Sequence, residues 1–548
     1  MSIARGGLDA ELLEATKHIR SRRGRSNNAR RIWTLLLFAV PCASLALATI
    51  GEPVLNTAGW PQMLDFWRAA ANPELSGPFL RLTLSGALTT LAYAILGSSL
   101  SVLIGIVGGA IAARSSWVDL KRPARWLMVG GSRGLLSLPR GVHEIVWGLI
   151  FVNVLGADPW VGILAIGIPY GAITAKVFAE ILDETDQRPY LALLNAGVRR
   201  APAMLYGLFP IATPDLVSYV FYRFECSIRA AAILGLIGAG GLGYELMLSF
   251  RTLRYDEMWT LIYALILLSG LADLWSSSLR RRISGHVAGG SRGYLAGSAS
   301  LWILLCIVSG AHVGLAFSAL VSDRALEGLQ LVAAGLWPPV LPAESWSAVI
   351  HASVQTLEMS VIATAIAATL GVLAAGAISV SADGSRRIAT TTRVAAKALL
   401  LLCRAIPPPV WALLLLFVFL PGIVPGALAL GIYNFGILGR LMSEAAEDLD
   451  RGPREALTAA GVPDHKVFLY ATAPRLASRF VALCLYRWEV TTRETVIVGL
   501  VGAGGLGRLL TGALAAFDFG RVASVLIALI VVTLLVDAIS ASARQALR

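Results

Sequence analysis

Charge is what this chain most lacks. Only 15% of its 548 residues are Asp, Glu, Lys or Arg and 56% are hydrophobic, where a soluble domain carries about 25% charge, so water is excluded as its main solvent. Cysteine is scarce: Cys42, Cys226, Cys306, Cys403 and Cys484 stand singly in or beside apolar stretches, which excludes a disulfide framework and a zinc site of CxxC type. The pattern GxxxxGKS/T is missing, and no Gly-Lys step occurs anywhere. No lysine is therefore placed to meet a β- or γ-phosphate, and any ATP with its Mg must be bound by another chain.

What is abundant is apolar sequence. Stretches at 32–50, 84–113, 160–178 and 522–535 are long enough, or nearly so, to cross a hydrocarbon core of ~30 Å as helices. Backbone polar groups cannot stay open in lipid, so the spans must be helical. About twelve are expected, near 32–50, 84–113, 141–155, 159–180, 213–237 and 257–278, then 298–321, 350–379, 396–419, 423–443, 478–501 and 521–540. The net charge of +12 is segregated: loop 114–140 has six Lys or Arg and 280–292 has four, whereas 51–80 has only Arg68 and 322–349 only Arg324. This alternation is the positive-inside pattern and not a nucleic-acid surface, and it places both termini in the cytoplasm. The basic segment 17–31 before the first span reads as a cytoplasmic leader, not as a cleaved signal peptide.

One design is written twice. Tyr222-Arg223-Phe224-Glu225 through Gly243 matches Tyr486-Arg487-Trp488-Glu489 through Gly507 without a gap, 13 of 22 positions being identical at an offset of 264 residues. That offset also carries Arg140 onto Arg404, Gly197 onto Gly461 and Pro210 onto Pro474. The expected organisation is an all-α integral membrane protein of two parallel six-helix repeats, 1–285 and 286–548, enclosing a central pathway. Parallel six-helix halves alone do not separate an ATP-driven permease from an ion-driven secondary anion transporter.

Polar stretches of about thirty residues follow the fourth span of each half, longer than ordinary helix connections. In the second, Glu455-Ala456-Leu457-Thr458-Ala459-Ala460-Gly461 precedes Pro474, which reads as a short helix, a glycine stop and a proline restart. It resembles the EAA loop of ABC importer permeases. The first half keeps Ala192, Gly197 and Pro210 but has Leu191 where the glutamate belongs. The resemblance implies that 183–210 and 447–474 are coupling helices docking two cytoplasmic ABC ATPase subunits, and that the fold is the MetI-like permease fold.

Gly238-Ala239-Gly240-Gly241-Leu242-Gly243 satisfies GxGxxG, as does 502–507, but both follow a membrane helix and no βαβ unit surrounds them, which removes a dinucleotide site. Two readings remain open: a glycine bend allowing close backbone approach, or a nest of N–H groups at Gly240, Gly241, Gly504 and Gly505 for an anion. Together with Tyr-Arg-x-Glu, Arg229 or Arg493, Arg140 to Trp147, Arg404 to Trp411 and Tyr255-Asp256-Glu257, these strings resemble the phosphonate transport permease (PhnE) family. Pro407-Pro408-Pro409 departs from Val142-His143-Glu144 of the first half, so unequal halves are expected. The resemblance implies a multi-pass inner (plasma) membrane permease that binds no cofactor itself, works by alternating access, receives a small phosphorus oxyanion from an extracytoplasmic binding protein, and contacts lipid.

Charged groups inside spans are costly and face a protein interior or a water path. Glu225 with Arg229, and Glu489 with Arg493, stand four residues apart and are expected to neutralise each other on one helix face. With Arg223, Arg487, Arg140 and Arg404 they form the candidate pathway or gate. The arginine fork suits a tetrahedral oxyanion by donating to two oxygens at once.

Overall fold

The computed structural model describes residues 39–46, 55–118, 120–284, 291–340, 345–380, 386–450 and 452–547. The basic leader 17–31, most of the first expected span and the joint at 285 and 286 lie outside the described residues. Among the described residues the chain is helical, and an isolated bridge between Leu55 and Phe419 is the only extended pairing.

In the first half the helices are α1 (Trp60–Ala69), α2 (Gly77–Ala112), α3 (Arg122–Gly141), α4 (Glu144–Leu155), α5 (Pro159–Glu184), α6 (Arg188–Asn195), α7 (Arg200–Gly207), α8 (Phe209–Leu234), α9 (Leu242–Arg251) and α10 (Tyr255–Ser284). Then follow α11 (Ser291–His312), α12 (Asp323–Leu336), α13 (Trp346–Val380), α14 (Arg386–Ala405), α15 (Pro408–Val418), α16 (Ile423–Glu447), α17 (Gly452–Ala459), α18 (Asp464–Val467), α19 (Ala473–Leu500), α20 (Gly505–Ala515) and α21 (Phe519–Leu547). The starts of α3 to α8 and of α10 recur 264 residues later in α14 to α19 and α21, so the duplication is structural as well as sequential.

Among the described residues six helices, α2, α5, α10, α13, α16 and α21, are long and apolar enough to cross a membrane. Four bent helix pairs are together long and apolar enough for a broken span or a re-entrant loop: α3 with α4 at 80°, α8 with α9 at 54°, α14 with α15 at 93° and α19 with α20 at 49°. The bends correct two expected spans. Near 141–155 and 396–419 the chain turns sharply instead of running straight, because His143 caps α4 through Nδ1 accepting from the Ile145 N–H at 3.3 Å and Pro407 to Pro409 supply no N–H donors to continue α14. The basic segment 114–140, expected as a loop, is largely α3. It sets cations beside exposed Trp126, Leu127 and Leu135. The expected loops 51–80 and 322–349 likewise contain α1 and α12.

Small residues decide how the long helices meet. On α2, Gly97, Ser101, Gly105 and Gly109 recur every fourth residue, and a Cβ on Gly97 or Gly109 would come within 2.8 Å of Ile166 or 2.7 Å of Phe178 on α5. Ser101 and Thr174 hydroxyls meet across this seam at 3.1 Å. Such small-xxx-small stripes let backbones approach where lipid offers no hydrophobic drive.

The halves are interlocked. At the end of the bundle opposite the loops 185–208 and 448–472, α1 of the first half lies on α15 of the second: the Asn56 N–H donates to the Val418 carbonyl at 2.7 Å, Asn56 Nδ2 to the Phe417 carbonyl at 3.1 Å, and Trp67 faces Trp411. Reciprocally α12 lies on α4, so closely that a Cβ on Gly328 would come within 2.6 Å of the Val154 carbonyl oxygen. Buried clusters therefore mix residues of both halves, such as Phe66, Trp259, Met359 and Trp411.

Candidate functional site

A cavity of 890 Å³ opens between the halves. Helices α8 and α19 give it Tyr222, Arg223, Glu225 and Arg229, and Tyr486, Arg487, Glu489 and Arg493. The bend between α3 and α4 adds Arg140, His143 and Glu144; α5 adds Tyr170, Lys176 and Glu180; the second half adds Arg404, Tyr433, Arg440, Glu444, Glu494 and Asp537. The expected arginines and glutamates thus converge on one space.

Their pairing is unequal. Glu225, 4% exposed, accepts from Arg229 Nη1 at 2.9 Å, Arg404 Nη1 at 3.2 Å and Arg440 Nη1 at 3.4 Å. Asp273 of α10 binds Arg404 and accepts from Arg440 at 3.0 Å, while Arg440 Nε donates to Glu444 at 2.7 Å. Two acids of the first half are therefore clamped by two arginines of the second. The Glu225 and Arg229 pair is as expected, but the Glu489 and Arg493 pair is corrected: Glu489 accepts from Arg544 of α21 at 2.6 Å, and Arg493 stands 4.0 Å from Asp537. A charge on the neighbouring helix α21 outcompetes the one four residues along. Arg404 is buried inside the ion network.

Arg223 and Arg487 are both 8% exposed. Arg487 donates to Glu494 at 2.6 Å and to Asn434, whose own Nδ2 donates to Glu494 at 3.2 Å. Arg223 instead stands 4.1 Å over the ring of Tyr170, and its Nε has no hydrogen-bond partner. Tyr170 donates to Glu144 Oε1 at 3.1 Å, and Glu144 Oε2 lies 3.1 Å from His143 Nδ1.

The glycine turns lie outside this cavity. Gly240 and Gly241 have φ of +89° and +77°, Gly504 and Gly505 +85° and +68°, a region that L side chains avoid. Beside them Leu242 donates to Thr90 at 2.9 Å and Leu506 to Thr356 at 3.0 Å, and Gly505 itself donates to Gln355 at 3.0 Å. A Cβ on Gly243 would fall 1.8 Å from the Ala232 carbonyl oxygen. That is the close backbone approach that a glycine bend permits.

Both polar loops close their short helices alike. Gly197, φ +83°, donates to Leu194 and Val198 to Leu193; Gly461, φ +74°, donates to Thr458 and Val462 to Leu457. This is the Schellman stop, written at the glycines that the loop pattern names. Pro210 and Pro474 occupy second positions of α8 and α19, where their missing N–H costs nothing. Ala192, Glu455 and Ala456 are exposed. At the start of α6, Arg188 hydrogen-bonds Asp186 at 2.7 Å and holds its carboxyl below the usual range.

Sequence reading does not single out Asp273, Arg440, Asn434, Glu494, Asp537 or Arg544. A signal existed for two: Asp273 and Asp537 lie 264 residues apart, each an acid inside an apolar helix.

Fold and cavity together define a multi-pass α-helical permease. The chain belongs to the family described as binding-protein-dependent transport system inner membrane component, which matches it twice, at residues 105–287 and 367–548. It is 26% identical over 468 residues to the phosphate-import permease protein PhnE of Mycolicibacterium smegmatis, covering 84% of this chain and 85% of that protein. It is 32% identical over 223 residues to the phosphite transport system permease protein PtxC of Stutzerimonas stutzeri, covering 41% of this chain and 78% of that protein. Over 118 residues it is 36% identical to the putative cryptic phosphonate transport system permease protein PhnE2 of Escherichia coli, covering 22% of this chain and 97% of that protein. No solved structure matches it.

Proposed function

We propose that this chain is the whole transmembrane part of an ATP-driven importer of phosphorus oxyanions, phosphate, phosphite or phosphonate, with one permease unit in 1–285 and the other in 286–548. The observation that carries this reading is a cavity between the two halves, walled by arginines from both. Guanidinium forks pair two donors with two oxygens of a tetrahedral anion and stay charged when dehydrated.

In this reading the loops 185–208 and 448–472 face the cytoplasm, as do both termini. Two ABC ATPase subunits dock on α6 with α7 and on α17 with α18, and they alone hold ATP and Mg. An extracytoplasmic binding protein delivers the anion at the opposite end, where α1 and α12 lie. Glu225 and Asp273, clamped by Arg404 and Arg440, form the inter-half gate, and its ion pairs exchange partners as the halves move.

The test is uptake of radiolabelled phosphate, phosphite and methylphosphonate into proteoliposomes containing the chain with its ATPase and binding protein. Uptake is expected only with all components and ATP. Uptake by this chain alone, driven by an ion gradient, would replace the importer with a secondary anion transporter.

A further inference from the structure

We propose that Arg223 and the ring of Tyr170 form an oxyanion subsite that exists in one half only, so that the translocating anion binds off the pseudo-twofold axis. This deepens, and rests on, the reading of the chain as a phosphorus oxyanion permease.

The duplication puts Arg223 and Arg487 at equivalent places on α8 and α19, and both point into the cavity. Seven residues on, about two helical turns and so on the same face, the second half has Glu494 and the first has Ala230. Opposite them, Asn434 of α16 is matched by Tyr170 of α5. Arg487 therefore carries its own counter-ion, with Glu494 at 2.6 Å and Asn434 completing the cradle. Arg223 has lost both partners. Among the described residues no carboxylate pairs with it, its Nε is without an acceptor, and it rests 4.1 Å from the centre of the Tyr170 ring. Glu144 is held off at the far end of that tyrosine, receiving its hydroxyl at 3.1 Å.

An aromatic face steadies a cation without supplying negative charge or oxygen lone pairs. A buried guanidinium left so is strongly disfavoured unless something mobile completes it. The missing partner must be anionic, must accept from a planar fork, and must fit where the Glu494 side chain lies in the other half. A tetrahedral phosphorus oxyanion meets all three conditions. The second half, already neutralised, offers no such vacancy at Arg487.

Binding of radiolabelled inorganic phosphate to the full chain in lipid nanodiscs, without the ATPase, tests this directly. The wild-type chain is expected to bind phosphate; Arg223→Gln should weaken binding about tenfold or more, as for loss of a charged hydrogen bond, and Arg223→Lys should fall between. Ala230→Glu, which installs the counter-ion of the other half, should abolish phosphate binding while raising the melting temperature. A purely structural Arg223 predicts the reverse, a lower melting temperature in Arg223→Gln with unchanged affinity of the folded protein. Equal affinity of Arg223→Gln and wild type, or no binding of phosphate, phosphite or methylphosphonate by wild type, overturns the subsite. Should the assembled importer take up no phosphorus oxyanion while phosphate binding still depends on Arg223, the subsite stands and the transport reading falls.

Discussion

Glu225 and Glu489 occupy the same place in the repeat and do unequal things. Glu225 is shared by Arg229, Arg404 and Arg440, whereas Glu489 serves Arg544, whose side chain is 29% exposed. Removing one partner from a buried ion network costs about 3–5 kcal/mol because the remaining charges lose compensation; a partly solvated pair is worth about 1 kcal/mol or less. Glu225→Gln should therefore lower the melting temperature in detergent far more than Glu489→Gln, and adding Arg229→Gln should not restore it, since Arg404 and Arg440 remain. Equal melting of the two single variants would remove the asymmetry. The sequence shows the four-residue spacing in both halves and so suggests two equal pairs. It does not show that α21 brings Arg544 beside Glu489 and Asp537 beside Arg493, because spacing along one helix does not say what a neighbouring helix presents to it.

At the level of elements, the loop helices α6 and α17 share a glycine stop and a proline restart but differ in what they offer to a partner, Leu191 in one and Glu455 in the other, both exposed. In the importer reading Glu455→Arg should uncouple ATP hydrolysis from uptake in proteoliposomes more severely than Leu191→Arg, with both proteins recovered folded. Equal losses would mean that the two docking sites work alike. These short helices were legible because glycine at positive φ and proline near a helix start are local signals. The bend after α3 was not: its break at Val142 and His143 contains no proline, and Pro139 sits inside the helix before it. Helices α1 and α12 were also illegible, being too short to span and set within stretches that read as loops.

For the whole molecule, the repeat, its offset and the parallel halves follow from sequence alone, while the exchange of α1 and α12 between halves does not, because nothing in a one-dimensional repeat says whose groove a short helix fills. If these contacts hold the halves together, the chain cut between 285 and 286 and expressed as two polypeptides should still copurify as one particle. Substituting Trp67 and Trp411 by alanine should weaken that recovery, since aromatic pairs add about 0.5–1.5 kcal/mol beyond their buried area. Independent elution of the two separately expressed halves would show the link, and not the exchange, to be the tie.

The interlocked helices also fix the kinematics. Any rotation that opens the cavity carries α1 along with α15 and α12 along with α4, so neither moving body coincides with a stretch of sequence. Each moving body is a chimera, a core from one repeat bearing an arm from the other. A displacement of one repeat would reach the other through the helix packed into it, although the charges the two halves carry are not the same.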